Sequence, residues 1–177
     1  MAMRGERELE AAGGAGAVAP NGKPVESVWH FPRPPAIDPV DWRIRVVHAG
    51  ETIVDAPSAI RVLETSQAPA YYVDPEFVDA RHLVPIDRRT GCEWKGRASY
   101  ADVVVGRERA RAACWTYLTP TERFTAIAGH WAFYAQALDE CWVDDERVGA
   151  NGGDFYGGWI TANVTGPFKG APGTTFW

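Results

Sequence analysis

The stretch GCEWKGRASY (91–100) gathers a thiol, an indole and an ammonium within four residues: Cys92, Trp94 and Lys95. In a strand, alternate side chains share a face. CEWK is therefore expected to point Cys92 and Trp94 one way and Glu93 and Lys95 the other. By the same rule Val62 and Glu64 share a face in RVLE, and Trp115 and Tyr117 share one in CWTY, opposite Cys114 and Thr116. Glu64 and Lys95 on one interior wall would form a carboxylate–ammonium pair beside aromatic surface. Burial that moves their pKa values toward neutrality would fit such a pair for proton transfer. The competing expectation is a salt bridge at a strand end, or two unrelated surface charges. Glu64 and Lys95 are thus the candidate catalytic groups. Cys92, Trp94, Tyr100, Trp115, Tyr117, Trp159 and Lys169 are the candidate ligand-binding residues.

Cys92 as a nucleophile would need a base to make the thiolate, and no His or second Cys lies near it in sequence. His48 and His130 could reach it only through the fold. Three Cys and four His supply atoms enough for zinc, but C-x-x-C and H-x-x-x-H spacings are missing, so neither a metal nor another cofactor is expected. GPFKGAPGT (166–174) is not a Walker loop, because Lys169 precedes its glycine and no strand leads in. Its freed amides and Lys169 could cradle an anion; a glycine-rich lid that lets aromatics pack closely is the favoured expectation.

The elements that must position these residues come from a chain of 177 residues, 46% hydrophobic and 12% aromatic, enough for one domain with a real core. The formal net charge of −5, with scattered basic residues, argues against a nucleic-acid partner. It argues equally against an anionic membrane surface. The N-terminus lacks the apolar core of a secretory signal, and a cytoplasmic location is expected. The odd number of cysteines gives no disulfide framework, and buried thiols are the simpler expectation.

Residues 1–24 are expected to form a flexible arm, with a short helix over Arg4–Ala12, ahead of a single β-rich domain over 25–177. SVWHFPRPPAIDPV (27–40) is held extended by its prolines, with Trp29 and Phe31 plugged into the body. Hairpins are expected in RIRVVHAGETIVDA at Ala49–Gly50, in ADVVVGRERARAACWTY at Gly106, and in ECWVDDERV at Asp144–Asp145. IRVLET and PAYYV add strands. Short helices are expected from Pro75 and from Thr121, the latter ending on Gly129. The tail, rich in glycine and aromatics, is expected to be an ordered loop system, since disordered tails are poor in aromatics.

VWHFPRPPAIDPV, RVLETSQAPAYYVDPE, CEWKGRASY, ACWTY, HWAFY and FYGGWITANVTGPFKGAPGT together resemble the family called domain of unknown function 427, also labelled after nucleotidyltransferases. The resemblance spans roughly residues 26–177. Its CPxKGxAxY hallmark is matched by Cys92, Lys95, Gly96, Ala98 and Tyr100, with Glu93 in place of Pro. Glu64, Trp115 and Tyr117 match further positions, and His30 stands where many members carry an acidic residue. The resemblance implies a compact, mainly β fold of two antiparallel sheets, tent- or barrel-like, holding a small molecule between aromatic walls. Nothing in these residues supports nucleotidyl transfer: a Gly-Ser signature and a D-x-D metal pair are both missing.

Three functions follow as expectations. The first is a metal-independent enzyme using Glu64 and Lys95 on a small-molecule ligand. The second is a binding module with the same pocket and no chemistry. The third is an interaction protein whose tail is the interface, with a homodimer as one candidate assembly.

Overall fold

The computed structural model describes residues 16–177. The rest of the expected arm, with the helix anticipated over Arg4–Ala12, lies outside the described residues. Residues 16–24 lie against the body: Val18 bridges Pro24, and the buried Lys23 ammonium meets Asp144 Oδ2 at 2.7 Å.

The first strands are β1 (Glu26–Ser27), β2 (Ala36–Val40), β3 (Ile44–His48), β4 (Glu51–Ala56), β5 (Ala59–Leu63) and β6 (Ala70–Tyr72). The central ones are β7 (Leu83–Cys92), β8 (Gly96–Val105), β9 (Glu108–Thr116) and β10 (Trp131–Phe133). The last are β11 (Glu140–Val143), β12 (Glu146–Arg147), β13 (Gly149–Ala150), β14 (Trp159–Ile160) and β15 (Val164–Thr165).

Two sheets have four strands, in the orders β10-β9-β8-β7 and β12-β11-β3-β4, and a third has three, β2-β5-β6. All three are antiparallel; of two small ribbons, β13-β14 is antiparallel and β1-β15 parallel. The fold is therefore mainly β. Three larger sheets rather than two build the body, and none closes into a barrel among the described residues, which corrects the two-sheet, barrel-like expectation. No helix among the described residues is long and apolar enough to cross a membrane.

The three expected hairpins form as β3–β4, β8–β9 and β11–β12. Ala49 (φ 48°) and Gly50 (φ 79°) both adopt the left-handed conformation whose twist matches two paired strands. The expected helices do not extend beyond 3₁₀ turns. Asp74 and Asp79 each cap a single turn, Pro75–Phe77 and Ala80–His82, while Val78 between them is extended and bridges Val54. From Thr121, one kinked 3₁₀ segment, Glu122–Ile127, buries Phe124 and Ile127.

The sheet β10-β9-β8-β7 is the shared middle layer. Ala101, Val103 and Cys114 pack on one side against Ile44, Val46 and Ile53 of the second four-stranded sheet. Tyr100, Trp115 and Tyr117 pack on the other against Val62 and Tyr72 of the three-stranded sheet. Phe31 is buried as expected, with Val28, Leu63 and Val164. Trp29 instead stays 41% exposed, its Nε1 donating to the Pro167 carbonyl at 2.9 Å.

A buried ion cluster fixes β5. Arg61, only 4% exposed, donates to both Glu26 oxygens at 2.9 and 3.1 Å and to Asp38 Oδ2 at 2.6 Å. Burial disfavours its charge, but Glu26 above all, with smaller contributions from Tyr71 and Asp38, outweighs that and holds the guanidinium above its ordinary range. β5 is thereby clamped to β1 and β2, and its far end delivers Glu64.

Candidate functional site

Between the three-stranded sheet and the middle sheet lies a cavity of about 230 Å³. Val62, Glu64 and Tyr72 come to it from β5 and β6, and Tyr100, Trp115 and Tyr117 from β8 and β9. Thr90, Cys92, Glu93, Trp94 and Lys95 come from β7 and the turn after it; Phe155–Gly158 and Lys169 form the outer wall. Of the expected site residues, Glu64, Lys95, Cys92, Trp94, Tyr100, Trp115, Tyr117 and Lys169 all face this cavity.

Trp159 does not. It is 1% exposed in the opposite core, stacked on Tyr71 at 5.2 Å, with Nε1 donating to the Phe133 carbonyl at 2.8 Å. The Gly157–Gly158 pair just before it reaches the cavity instead. A Cβ at Gly157 would run into the Trp115 ring, and one at Gly158 into the Ala68 carbonyl, so only glycine lets the outer wall approach this closely.

The expected division of Cys92 from Lys95 is also corrected. CEWK is not a continuous strand: Cys92 pairs with Gly96, and Glu93, Trp94 and Lys95 form the loop between β7 and β8. Gly96 takes φ 105°, available to glycine and strained for other residues. The loop is braced by Thr121, whose N–H donates to the Lys95 carbonyl at 3.0 Å and whose hydroxyl donates to the Trp94 carbonyl at 2.5 Å. Alternation stops at Cys92, and thiol and ammonium face one space. At β5 and β9 the alternation carries one residue past the strand end: Val62 with Glu64, and Trp115 with Tyr117, line the cavity together, while Cys114 lies in the opposite core.

The aromatic walls are tied by polar contacts. Trp115 Nε1 donates to the Tyr72 hydroxyl at 3.1 Å, the Thr90 and Tyr100 hydroxyls share a 2.8 Å hydrogen bond, and Tyr134 donates to the Phe155 carbonyl at 2.9 Å. Sequence reasoning missed Tyr72 and Tyr134 as site residues, although AYYV already marked a strand whose alternate positions must face opposite ways. Burial raises the Tyr72, Tyr117 and Tyr134 phenols above the ordinary range. These walls are neutral at physiological pH.

Lys95 sits with its Nζ 5.7 Å from the centroid of Tyr117. Burial opposes its charge, but Tyr72, Cys92 and Glu64 outweigh burial and hold the ammonium above its ordinary value. The expected shift toward neutrality therefore does not occur at Lys95; the group is a fixed cation. Neither histidine approaches Cys92: His48 lies 3.6 Å from Asp139, and the His130 ring contacts the Ala128 carbonyl. The Lys169 loop lines the cavity with part of its hydrogen-bonding capacity already taken. Its Lys169 and Gly170 amides donate to the Ser66 carbonyl and Thr174 Oγ1 at 2.7 and 2.9 Å, and Lys169 Nζ donates to the Trp177 carbonyl at 3.1 Å.

Residues 36–144 match the family model described as Domain of unknown function (DUF427). That range holds Glu64, Cys92, Lys95, Tyr100, Trp115 and Tyr117, whereas Phe155–Gly158 and Lys169 lie beyond it. No curated protein matches the chain.

Proposed function

The chain belongs to the DUF427 family, and we propose that it binds one small organic molecule in the cavity between the three-stranded and middle sheets, a tent-like arrangement. The observation that carries this is the convergence of Glu64, Cys92 and Lys95, from two different sheets, on one space walled by tyrosine and tryptophan. Apolar walls with a few placed polar groups are what small-molecule sites are made of. At about 230 Å³ the cavity suits a compact metabolite.

Lys95 serves as the fixed cation that holds an acidic or carbonyl oxygen of the ligand. Any proton transfer falls to Glu64, since the raised ammonium stays protonated, has no lone pair to act as a base and is a weak acid. The tail is bound into the body through Trp159 and the outer wall, which supports the pocket over a tail-borne interface.

The experiment is a thermal-shift screen of a defined metabolite panel, followed by mass spectrometry of each hit for product. A hit whose effect is lost in Lys95→Met supports the binding reading. Product formed by wild type and not by Glu64→Gln supports catalysis. A panel without any hit contradicts the proposal.

A further inference from the structure

The charged groups facing the cavity are Glu64, Glu93, Lys95 and Lys169. Glu93 is exposed on its loop, and Lys169 is engaged with the Trp177 carbonyl. That leaves Glu64 and Lys95, half-buried and of opposite sign. Among the described residues neither closes an ion pair, although Arg61, close by in sequence, takes two carboxylates. Among the described residues neither side chain hydrogen-bonds to a protein oxygen or nitrogen, and the Lys95 ammonium has only the Cys92 sulfur as a hydrogen-bonding neighbour.

Opposite charges that share a small cavity without meeting each keep hydrogen-bonding capacity unused: Glu64 has no donor, and Lys95 has only the soft Cys92 sulfur. A carboxylate only accepts hydrogen bonds and an ammonium only donates. A molecule that satisfies both must carry a donor, best charged, on one side and an acceptor, best anionic, on the other. A plain anion would satisfy Lys95 and be repelled by Glu64; a plain cation would meet the reverse. Between them the walls offer the faces and edges of Tyr72, Tyr100, Trp115 and Tyr117, which suit a flat or apolar body.

From this arrangement we infer that the occupant is a small zwitterion of the amino-acid type, its acid group on Lys95, its amine on Glu64, and an aromatic or apolar frame between the rings. The inference rests on the pocket reading above and names the ligand class for that same site.

The test uses the full chain, titrated by calorimetry with three probes on one frame: phenylalanine, which carries both groups, phenylpropanoate, which carries the acid alone, and phenethylamine, which carries the amine alone. The zwitterion is expected to bind at least about ten-fold more tightly than either, the scale of one charge-assisted hydrogen bond. Glu64→Gln should bring phenylalanine down to phenylpropanoate, and Lys95→Met should bring it down to phenethylamine. Equal binding of acid and zwitterion overturns the inference in favour of a plain anion site, and equal binding of amine and zwitterion overturns it in favour of a cation site. If none of the three binds while another panel metabolite does, the zwitterion fails and the pocket stands. If the panel is empty as well, both fail.

Discussion

Glu64 and Lys95 face one cavity from two different sheets, and no ion pair closes between them. Glu64 is delivered by β5, which the Arg61 cluster clamps in place; Lys95 is delivered by the β7–β8 loop, which Thr121 braces. Each charge is therefore positioned by contacts outside the cavity and is free to act inside it. That separation of support from function gives distinct expectations for the two sets of residues.

Replacing Glu26 by Gln and Asp38 by Asn together should destabilise strongly, by about 3–5 kcal/mol, because the buried Arg61 guanidinium is left without counter-charge. Arg61→Ala should cost less, since the two carboxylates it leaves reach solvent. Chemical denaturation checks this. Removing both carboxylates together with Arg61 should cost less than the sum of the single changes; simple additivity would mean that the three do not act as one cluster.

Gly157→Ala and Gly158→Ala should each lower the melting temperature. The first should also perturb the cavity, since its Cβ meets the Trp115 ring, whereas the second meets the Ala68 backbone. Overpacking of this kind costs about 1–3 kcal/mol. Indole fluorescence at position 115, with the other tryptophans as background, separates the two; identical spectra would contradict the close approach at Gly157.

Tyr72→Phe removes the acceptor of the buried Trp115 Nε1 and should cost about 1–3 kcal/mol. Trp115→Phe alone leaves only a hydroxyl that can turn elsewhere. A double-mutant cycle on the pair should therefore show coupling, and a zero coupling term would show that the hydrogen bond contributes nothing.

Of the three cysteines, Cys92 is half-buried at the cavity and Cys114 and Cys141 are in the core. Burial raises both core thiols, Cys141 to about 12. One thiol per chain should react with a small alkylating agent in the native state, all three should react in denaturant, and a cavity ligand should protect the first. Peptide mapping that finds Cys114 modified natively would contradict the core placement.

Stability should fall as pH rises beyond about 10. Burial raises Tyr71 to about 12 and also raises Tyr72, Tyr117 and Tyr134 above their usual 10.0. The folded chain thus keeps phenol protons that the unfolded chain releases, and folding is disfavoured in that window. Lys95 acts in the same window. Its contribution is complete below its unfolded value of 10.5 and is lost as pH rises through the higher folded one. Phenolate absorbance of the four buried tyrosines should rise only together with unfolding. Complete phenolate formation near 10, with the fold intact, would contradict the buried tyrosines.

The three hairpins were legible because their turns use residues tolerant of positive φ: Gly50, Gly106 and Asp144. The longest pairing, β7 with β8, was not. β7 is an edge strand, and edges carry the proline and charges, here Pro85, Asp87, Arg88 and Arg89, that hide a strand from pattern reading. The same blind spot covers CEWK, where residue types suited to a strand form a loop closed by Gly96. Trp159 was misplaced because one residue separates the cavity wall at Gly158 from the opposite core, and composition does not show which side a loop aromatic takes. The convergence of Glu64 with Lys95 depends on how sheets β2-β5-β6 and β10-β9-β8-β7 stack, a relation between residues far apart in sequence.

The most direct measurement is the dissociation constant of the tightest cavity ligand for the wild-type chain, Lys95→Met and Glu64→Gln, by calorimetry with the fold of each variant checked by circular dichroism. The pocket account predicts at least about ten-fold weaker binding in Lys95→Met, the scale of a charge-assisted hydrogen bond, with native spectra in all three. Unchanged affinity in both folded variants would place the ligand elsewhere and contradict it.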